Sequence, residues 1–411
     1  MKTLLQFGAG KIGRSFIAQL FSRAGYSVVF VDVVPALLAA LNARGRYRIE
    51  IKGDAPETIE IENVRAVDGR DAEAVAAEVA RADIAAVAVG PANLPGTFPL
   101  LAAGLVRRRR IGGGPLDIII CENVLHGAQI FRDGLRPHLP ADFPLDESVG
   151  LIETSIGKMV PLMPAAAAAA DPLLVWAEPF NTLVLDRRGF RNPIPAVPGL
   201  EPKDNIAAHV DRKLFVHNLG HTLAAYLQHL RHPDQPCLWQ AMADASVREA
   251  ARRAMWESAR GLDGRYPGEF TRADHASHIE DLLRRFANRA LGDTVYRVGR
   301  DLPRKLGPAD RFVGALRLDA EHGVGAPCTM TGLAAGFLFR ATDENGKLFP
   351  ADAAFHADLA ARGLEAVLAD VCELRPDRQP DARLRDDVTA AHRFLTQART
   401  RSDDWLAEAL S

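Results

Sequence analysis

Cysteine is scarce in this chain. Only Cys121, Cys237, Cys328 and Cys372 occur, none in a Cys-x-x-Cys pair, which excludes a disulfide framework or a thiolate-bound zinc as the organising element and suits a reducing compartment. Also missing is any uninterrupted apolar run of about 18 residues, the length a membrane-spanning helix needs. The opening Met1 to Gly8 has no apolar segment long enough for a secretory signal before the glycines begin. A large excess of one charge is absent too: 50 Lys and Arg stand against 52 Asp and Glu, a formal charge of −2, which argues against a general nucleic-acid binder. These absences describe a cytoplasmic protein with neither membrane nor nucleic acid as partner. Apolar residues are abundant, 48% of 411, enough for two domains with their own cores.

The first thirty residues carry the most specific pattern. A short apolar run, Thr3 to Phe7, leads into Gly8-Ala9-Gly10-Lys11-Ile12-Gly13, a helix-period segment from Lys11 to Ala24, and an apolar run Ser27 to Asp32 ending in a carboxylate. Strand, glycine turn, helix, strand and acid in that order make a dinucleotide-binding unit. Gly8 permits the tight turn, Gly10 lets a pyrophosphate approach the backbone, and Gly13 lets the helix pack on the sheet, with the helix N-terminus facing the phosphates. Asp32 stands 19 residues past Gly13 with no arginine after it, so it accepts from ribose hydroxyls and repels a 2′-phosphate, favouring NAD over NADP. The alternation continues: Ile84 to Val89 reads as a strand ending at Gly90-Pro91, where Val89 and Gly90 can approach the nicotinamide half. Leu116 to Cys121 reads as a strand that brings Glu122 and Asn123 to the sheet edge where ligands of open α/β sheets bind. Val149 to Val160 is strand-like and Leu173 to Asp186 reads as a strand pair.

Asn192 to Gly199 holds three prolines in eight residues and cannot be regular helix. It marks the boundary between residues 1–195, a Rossmann-like doubly wound α/β domain, and residues 196–411, a mostly α-helical domain. Helical period runs through Asn205 to His229, Trp239 to Leu262, Ala273 to Ala287, Gly332 to Phe339, Ala351 to Leu374 and Asp386 to Glu408. In the first of these, Lys213, His217 and His221 fall within about 80° of one another and Asn218 about 60° from His221. This polar face sits in an apolar frame of Leu214, Phe215, Leu219, Leu223 and Leu227. Burial there lowers the pKa of a lysine toward neutrality, as a proton acceptor requires. An amphipathic surface helix with locally satisfied histidines explains the same spacing, and this stretch alone does not choose. Arg297 to Lys305 places four cations in nine residues, suited to a phosphate or carboxylate or to a solvated basic turn.

Phe7 to Arg14, Ala88-Val89-Gly90-Pro91, Cys121-Glu122-Asn123, Lys213 to His221 and Arg297 to Leu306 occur in the order of, and resemble, the polyol-specific long-chain dehydrogenases. The resemblance covers nearly the whole chain, and its Lys-x4-Asn-x2-His spacing is its most specific part. It implies an NAD-dependent oxidoreductase, with cofactor contacts from Gly8, Ala9, Gly10, Lys11, Ile12, Gly13, Asp32, Val89, Gly90 and Asn123. It implies Lys213 as general acid/base, Asn123 and Asn218 as an oxyanion hole, His221 as orienting residue, and no metal. Within the family the chain is most similar to the phosphorylated-polyol branch, which implies a sugar phosphate held by Arg300, Arg304 and Lys305, in a monomer or homodimer. An unphosphorylated polyol or a hexuronate is the alternative substrate, and a non-catalytic NAD(H)-sensing module the alternative function. Two departures stand out: Gly157-Lys158 replaces the family's usual Asp-Arg, which puts the substrate in doubt, and His217 replaces an aliphatic neighbour of Asn218.

Overall fold

The structure, a computed structural model, describes residues 1–398 and 405–409. The chain divides into two compact units, Met1–Val210 and Asp211–Ser411.

The first unit is built on an eight-stranded sheet. In chain order the strands of this unit are β1 (Thr3–Phe7), β2 (Ser27–Asp32), β3 (Arg46–Ile51), β4 (Glu57–Glu62), β5 (Val64–Asp68), β6 (Ile84–Val87), β7 (Leu116–Ile120), β8 (Val149–Ser155), β9 (Val175–Ala177), β10 (Leu183–Asp186) and β11 (Leu200–Lys203). The large sheet runs β11-β10-β8-β7-β6-β1-β2-β5, and its stretch from β8 to β5 is parallel throughout. Every residue of β6 and β7 is buried, as befits parallel strands covered on both faces. The strand order reverses beside β1, between β2 and β6, so the carboxyl ends of β1 and β6 flank the switch point where ligands of such sheets bind.

The doubly wound sheet expected from the sequence is present, with two differences. Leu173 to Asp186 is not a strand pair. Val175–Ala177 joins β3 in parallel, within a small β4-β3-β9 sheet, while Leu183–Asp186 lies antiparallel to β8 in the large one. Pro179 lies in the connection between the two segments, which belong to different sheets. The second difference is the hairpin of β3 and β4, whose alternation of Arg and Glu with Tyr and Ile is a strand period that the expected element order leaves out. Beyond Pro198, β11 pairs in parallel with β10, so residues 200–203 fold with the first sheet.

The second unit is helical. The expected Asn205 to His229 helix is three segments: Ile206–Arg212, a π-helical turn Lys213–Asn218, and Leu219–Arg231. Asp244 breaks the next expected helix by capping Ala245–Arg265 through the amides of Ser246 (2.8 Å) and Val247 (3.1 Å). The helix expected at Gly332 begins earlier, as Pro327–Leu338, and Val313–Glu321 is a helix the periodicity did not reveal. Gly363, at φ 81°, separates Pro350–Arg362 from Leu364–Asp370. Of the last expected helix, Asp381–Ala398 and Trp405–Ala409 are helical, and residues 399–404 lie outside the described residues. Tyr226 anchors the core, stacked on Phe312 at 5.7 Å and tilted against Phe339 at 4.8 Å. Among the described residues no helix is long and apolar enough to cross a membrane.

Candidate active site

In the first unit the site begins at Gly8. Its φ is 86°, and a Cβ there would meet the Ala88 carbonyl oxygen at 2.3 Å, so the turn after β1 admits glycine alone. Gly13 is as constrained, with a Cβ meeting the Gly8 oxygen at 2.1 Å. Gly10, by contrast, is exposed, and its missing Cβ faces open space with nothing within 4 Å. That is the room a pyrophosphate requires against the backbone. Lys11 is exposed beside it, Ile12 is half-buried, and Ala9 is buried.

Asp32 ends β2 and holds the loop. Its Oδ2 accepts from the Ala9 amide at 2.7 Å, and Oδ1 accepts from Val33 at 2.7 Å and Val34 at 3.1 Å. A carboxylate offers about four acceptor positions, so one on Oδ2 is left for a ribose hydroxyl. Val33 and Val34 are 56% and 50% exposed, an apolar surface suited to an adenine. Two residues outside the predicted set brace the turn. Arg14 is buried and donates to the carbonyls of Ala9 (2.7 Å) and Leu173 (2.8 Å). Glu122 is buried at the end of β7, and its Oε1 accepts from the amides of Val89 (2.6 Å) and Gly90 (2.8 Å). Burial raises its pKa, and the two amides draw it back. Asn123 follows on the exposed loop.

At the Gly157-Lys158 departure the lysine is buried. Its ammonium donates to Asn181 Oδ1 at 2.9 Å and sits 5.1 Å over the Phe16 ring. Neighbouring Glu178, also buried, accepts from the Met159 amide. Lys158 is thus engaged by an amide oxygen and by a cation–π contact under the glycine-loop helix.

In the second unit Lys213 opens the π turn. On a regular α-helix Lys213 and Asn218 would lie about 140° apart. A π turn closes i to i+5 and brings residues five apart to one side. The Lys213 amine is pushed down to about 8, by burial first and then by the charge of Arg311, with Arg304 adding and Asp310 opposing. Arg311 is buried and spans the site: it donates to Asp310 Oδ1 (2.7 Å), Thr222 Oγ1 (3.0 Å) and the Asn218 carbonyl (3.4 Å). The Asp310-Arg311 dipeptide lies just past the basic stretch and was the available signal for it.

His221 stacks on Phe286, centroids 4.7 Å apart, and His217 packs on the same ring at 5.7 Å. His217 is buried, and burial with the charge of Arg285 holds it well below its usual pKa. The three phosphate candidates share one turn with different surroundings. Arg300 lies 5.2 Å over Phe349 and 5.5 Å over Tyr296. Arg304 is exposed, its guanidinium on Asp301 (2.5 Å) and Asp310 (3.3 Å). Lys305 is buried, donates to the Arg300 carbonyl, and is pushed down to about 7 by burial, Arg311 and Arg304. Asp352 fixes this turn by accepting from the amides of Asp301 (3.0 Å) and Leu302 (2.7 Å). Among the described residues no group of three or more His, Cys, Asp or Glu is set to hold a metal ion.

A parallel sheet with a glycine turn at its switch point, followed by a helical unit, defines a Rossmann-type dinucleotide-binding fold with an appended helical domain. The family model of the mannitol dehydrogenase Rossmann domain matches residues 2–199, and that of the mannitol dehydrogenase C-terminal domain matches residues 205–373. The chain belongs to the mannitol dehydrogenase family, as the resemblance to polyol dehydrogenases implied. Among solved structures it is similar to Pseudomonas fluorescens mannitol 2-dehydrogenase in ternary complex with NAD and D-mannitol, at 18% identity and TM-score 0.78, over 100% of this chain and 94% of that one. It is also similar to a D-sorbitol dehydrogenase in substrate-free form, at 16% identity and TM-score 0.77, over 99% of this chain and 94% of that one. At these identities the likeness is one of fold.

Proposed function

We propose that this protein is an NAD-dependent oxidoreductase that interconverts mannitol 1-phosphate and fructose 6-phosphate, a mannitol-1-phosphate 5-dehydrogenase. The observation that carries the reading is Lys213: a lysine on a π turn beside Asn218, its amine drawn to about 8 by burial and by the charges of Arg311 and Arg304. In oxidation the neutral amine takes the proton of the reacting hydroxyl, and in reduction the ammonium returns it to the carbonyl oxygen. A bound NAD would supply the acceptor for the hydride of the carbinol carbon, and NADH the donor in the reverse direction. The side-chain amide of Asn218 donates to the oxygen on which charge develops, an interaction worth roughly 3 kcal/mol. Gly8, Gly10, Gly13 and Asp32 hold the cofactor's phosphates and ribose, and the Val89-Gly90 turn, tied to Glu122, backs the nicotinamide. The excess of cations around Lys213 favours an anionic substrate, and Arg300, Arg304 and Lys305 are the candidates for its phosphate.

A second reading, an unphosphorylated polyol, is favoured by two contacts: the Arg304 guanidinium is engaged by Asp301 and Asp310, and Lys305 by a backbone carbonyl. The D-mannitol in the ternary complex of the fold relative points the same way. NADH oxidation measured with fructose 6-phosphate and with fructose decides between them. A strong preference for the phosphorylated ketose is expected, equal rates would establish the second reading, and inactivity on both would remove the two together.

A further inference from the structure

The inference rests on the polyol dehydrogenase reading of the helical unit and adds a residue outside the recognised motifs. His221 Nε2 lies 3.3 Å from Asp293 Oδ2. Both atoms are shielded from solvent and neither has an aligned hydrogen-bond partner. Buried polar atoms are almost always satisfied, so two orphans side by side, needing only a small turn of the ring, are each other's partner. The other carboxylate oxygen of Asp293 pairs with Arg297, one turn along in the helix Val295–Gly299. The backbone of Asp293 is itself anchored, its carbonyl accepting from the Leu238 amide at 2.9 Å. Phe286, parallel to the imidazole within 21°, fixes the plane of the ring. The His221 side chain still keeps 16% of its surface accessible, so a ligand can reach it.

We propose that Asp293 is a positioning residue: it accepts the Nε2 proton of His221, fixes the tautomer that leaves Nδ1 as an acceptor, and so makes His221 a reader of substrate hydroxyls. The tautomer of an imidazole is set by the hydrogen bond its other nitrogen makes. Burial and the charges of Arg297, Arg311, Lys305 and Arg285 keep the ring neutral, its pKa well below the usual value. A neutral ring with its proton on Nε2 has one acceptor and no second donor. It accepts from an O–H group and has nothing to offer an ionised carboxylate or phosphate oxygen. The group read by His221 is therefore a hydroxyl of the polyol, and the anionic end of a phosphorylated substrate lies elsewhere.

The test is the ¹⁵N spectrum of the imidazole nitrogens in the full-length protein, with His221 assigned by difference against His221→Gln. A proton on Nε2 and a bare Nδ1 are expected, collapsing to mixed tautomers in Asp293→Ala. The same variant should lose about 10- to 100-fold in kcat with unchanged Kd for NADH, and Asp293→Glu should recover part of the loss. A proton on Nδ1 in the native protein overturns the proposal, as does an Asp293→Ala protein that keeps both its tautomer and its kcat. Should Asp293→Ala fail to fold, the native spectrum decides alone. The tautomer is read without turnover, so a native protein inactive on polyols and ketoses would remove the polyol reading and leave the hold of Asp293 on the ring standing.

Discussion

Two lysines of the helical unit sit near neutrality, and the same two arginines help put them there. Lys213 is lowered to about 8 and Lys305 to about 7, each by burial first and then by Arg311 and Arg304. The neutral amine of Lys213 is the form that accepts a proton. Alcohol oxidation should therefore rise with pH through about 8 and level off, while carbonyl reduction is flat below that point and falls above it. Both limbs are read from kcat against pH. Arg311→Met removes the repelling cation and leaves Asp310 to favour the ammonium, so the oxidation limb should move to higher pH; an unmoved limb would mean that the titrating group is another residue. Stability responds to the same lysine, in the same direction as oxidation. The unfolded chain binds the Lys213 proton more avidly between about 8 and its ordinary 10.5, so the native fold gains stability as pH rises through that window. Lys213→Met should abolish turnover yet raise Tm at pH 7, with the difference closing toward pH 10.5, as thermal melts at several pH values would record. Lys305, neutral above about 7, must take up a proton to clamp a phosphate. Binding of fructose 6-phosphate at pH 8 should draw protons from solution, a quantity measured by calorimetry in buffers of different ionisation enthalpy.

Among the elements, the π turn Lys213–Asn218 is of a kind that a sequence hides. Periodicity at 100° per residue placed Lys213, His217 and His221 within about 80° of one another. It could not register the extra residue that brings Lys213 round to Asn218, because a π turn is an insertion into an otherwise helical pattern with no composition of its own. Deleting Val216 should restore α-helical spacing, carry Lys213 away from Asn218, and lower kcat by about two to three orders of magnitude with far-ultraviolet circular dichroism nearly unchanged. The glycine turn was legible for the opposite reason: Gly8 and Gly13 are required by backbone contacts that only glycine satisfies, and such positions mark the sequence directly. What escaped there were the braces. Arg14 and Glu122 stood within quoted motifs, yet nothing local says that one reaches Leu173 and the other Val89. Asp32 combines both kinds of role, since the carboxylate expected at a ribose also carries the amides of Ala9, Val33 and Val34. Asp32→Ser should thus raise the KM for NADH as well as relax discrimination against NADPH; a change in discrimination alone would show that the turn holds without it.

For the whole molecule, alternation of apolar runs with turn residues was enough to read a doubly wound half and a helical half. Partnerships between distant segments were not readable, which is why β9 and β10 were paired with each other; the β3–β4 hairpin is local, joined through residues 52–56, and there an alternating strand period went unread. Charge is distributed in the same non-local way. The chain is nearly neutral overall, at −2, and that figure conceals the clustering of Arg297, Arg304, Lys305 and Arg311 about Lys213 and His221, visible in the charges that depress both groups. Field effects from such a cluster accelerate the approach of an oppositely charged ligand and are screened by salt over a Debye length of about 10 Å at 0.1 M. A doubly charged sugar phosphate should feel this and a neutral sugar should not. With NADH saturating, kcat/KM for fructose 6-phosphate is expected to fall as ionic strength rises from about 0.02 to 0.5 M, while the value for fructose stays flat. Parallel, shallow dependences for the two sugars would mean that the cations are spent on Asp293, Asp301 and Asp310 and present no field to the substrate, and the unphosphorylated polyol would become the better reading of this site.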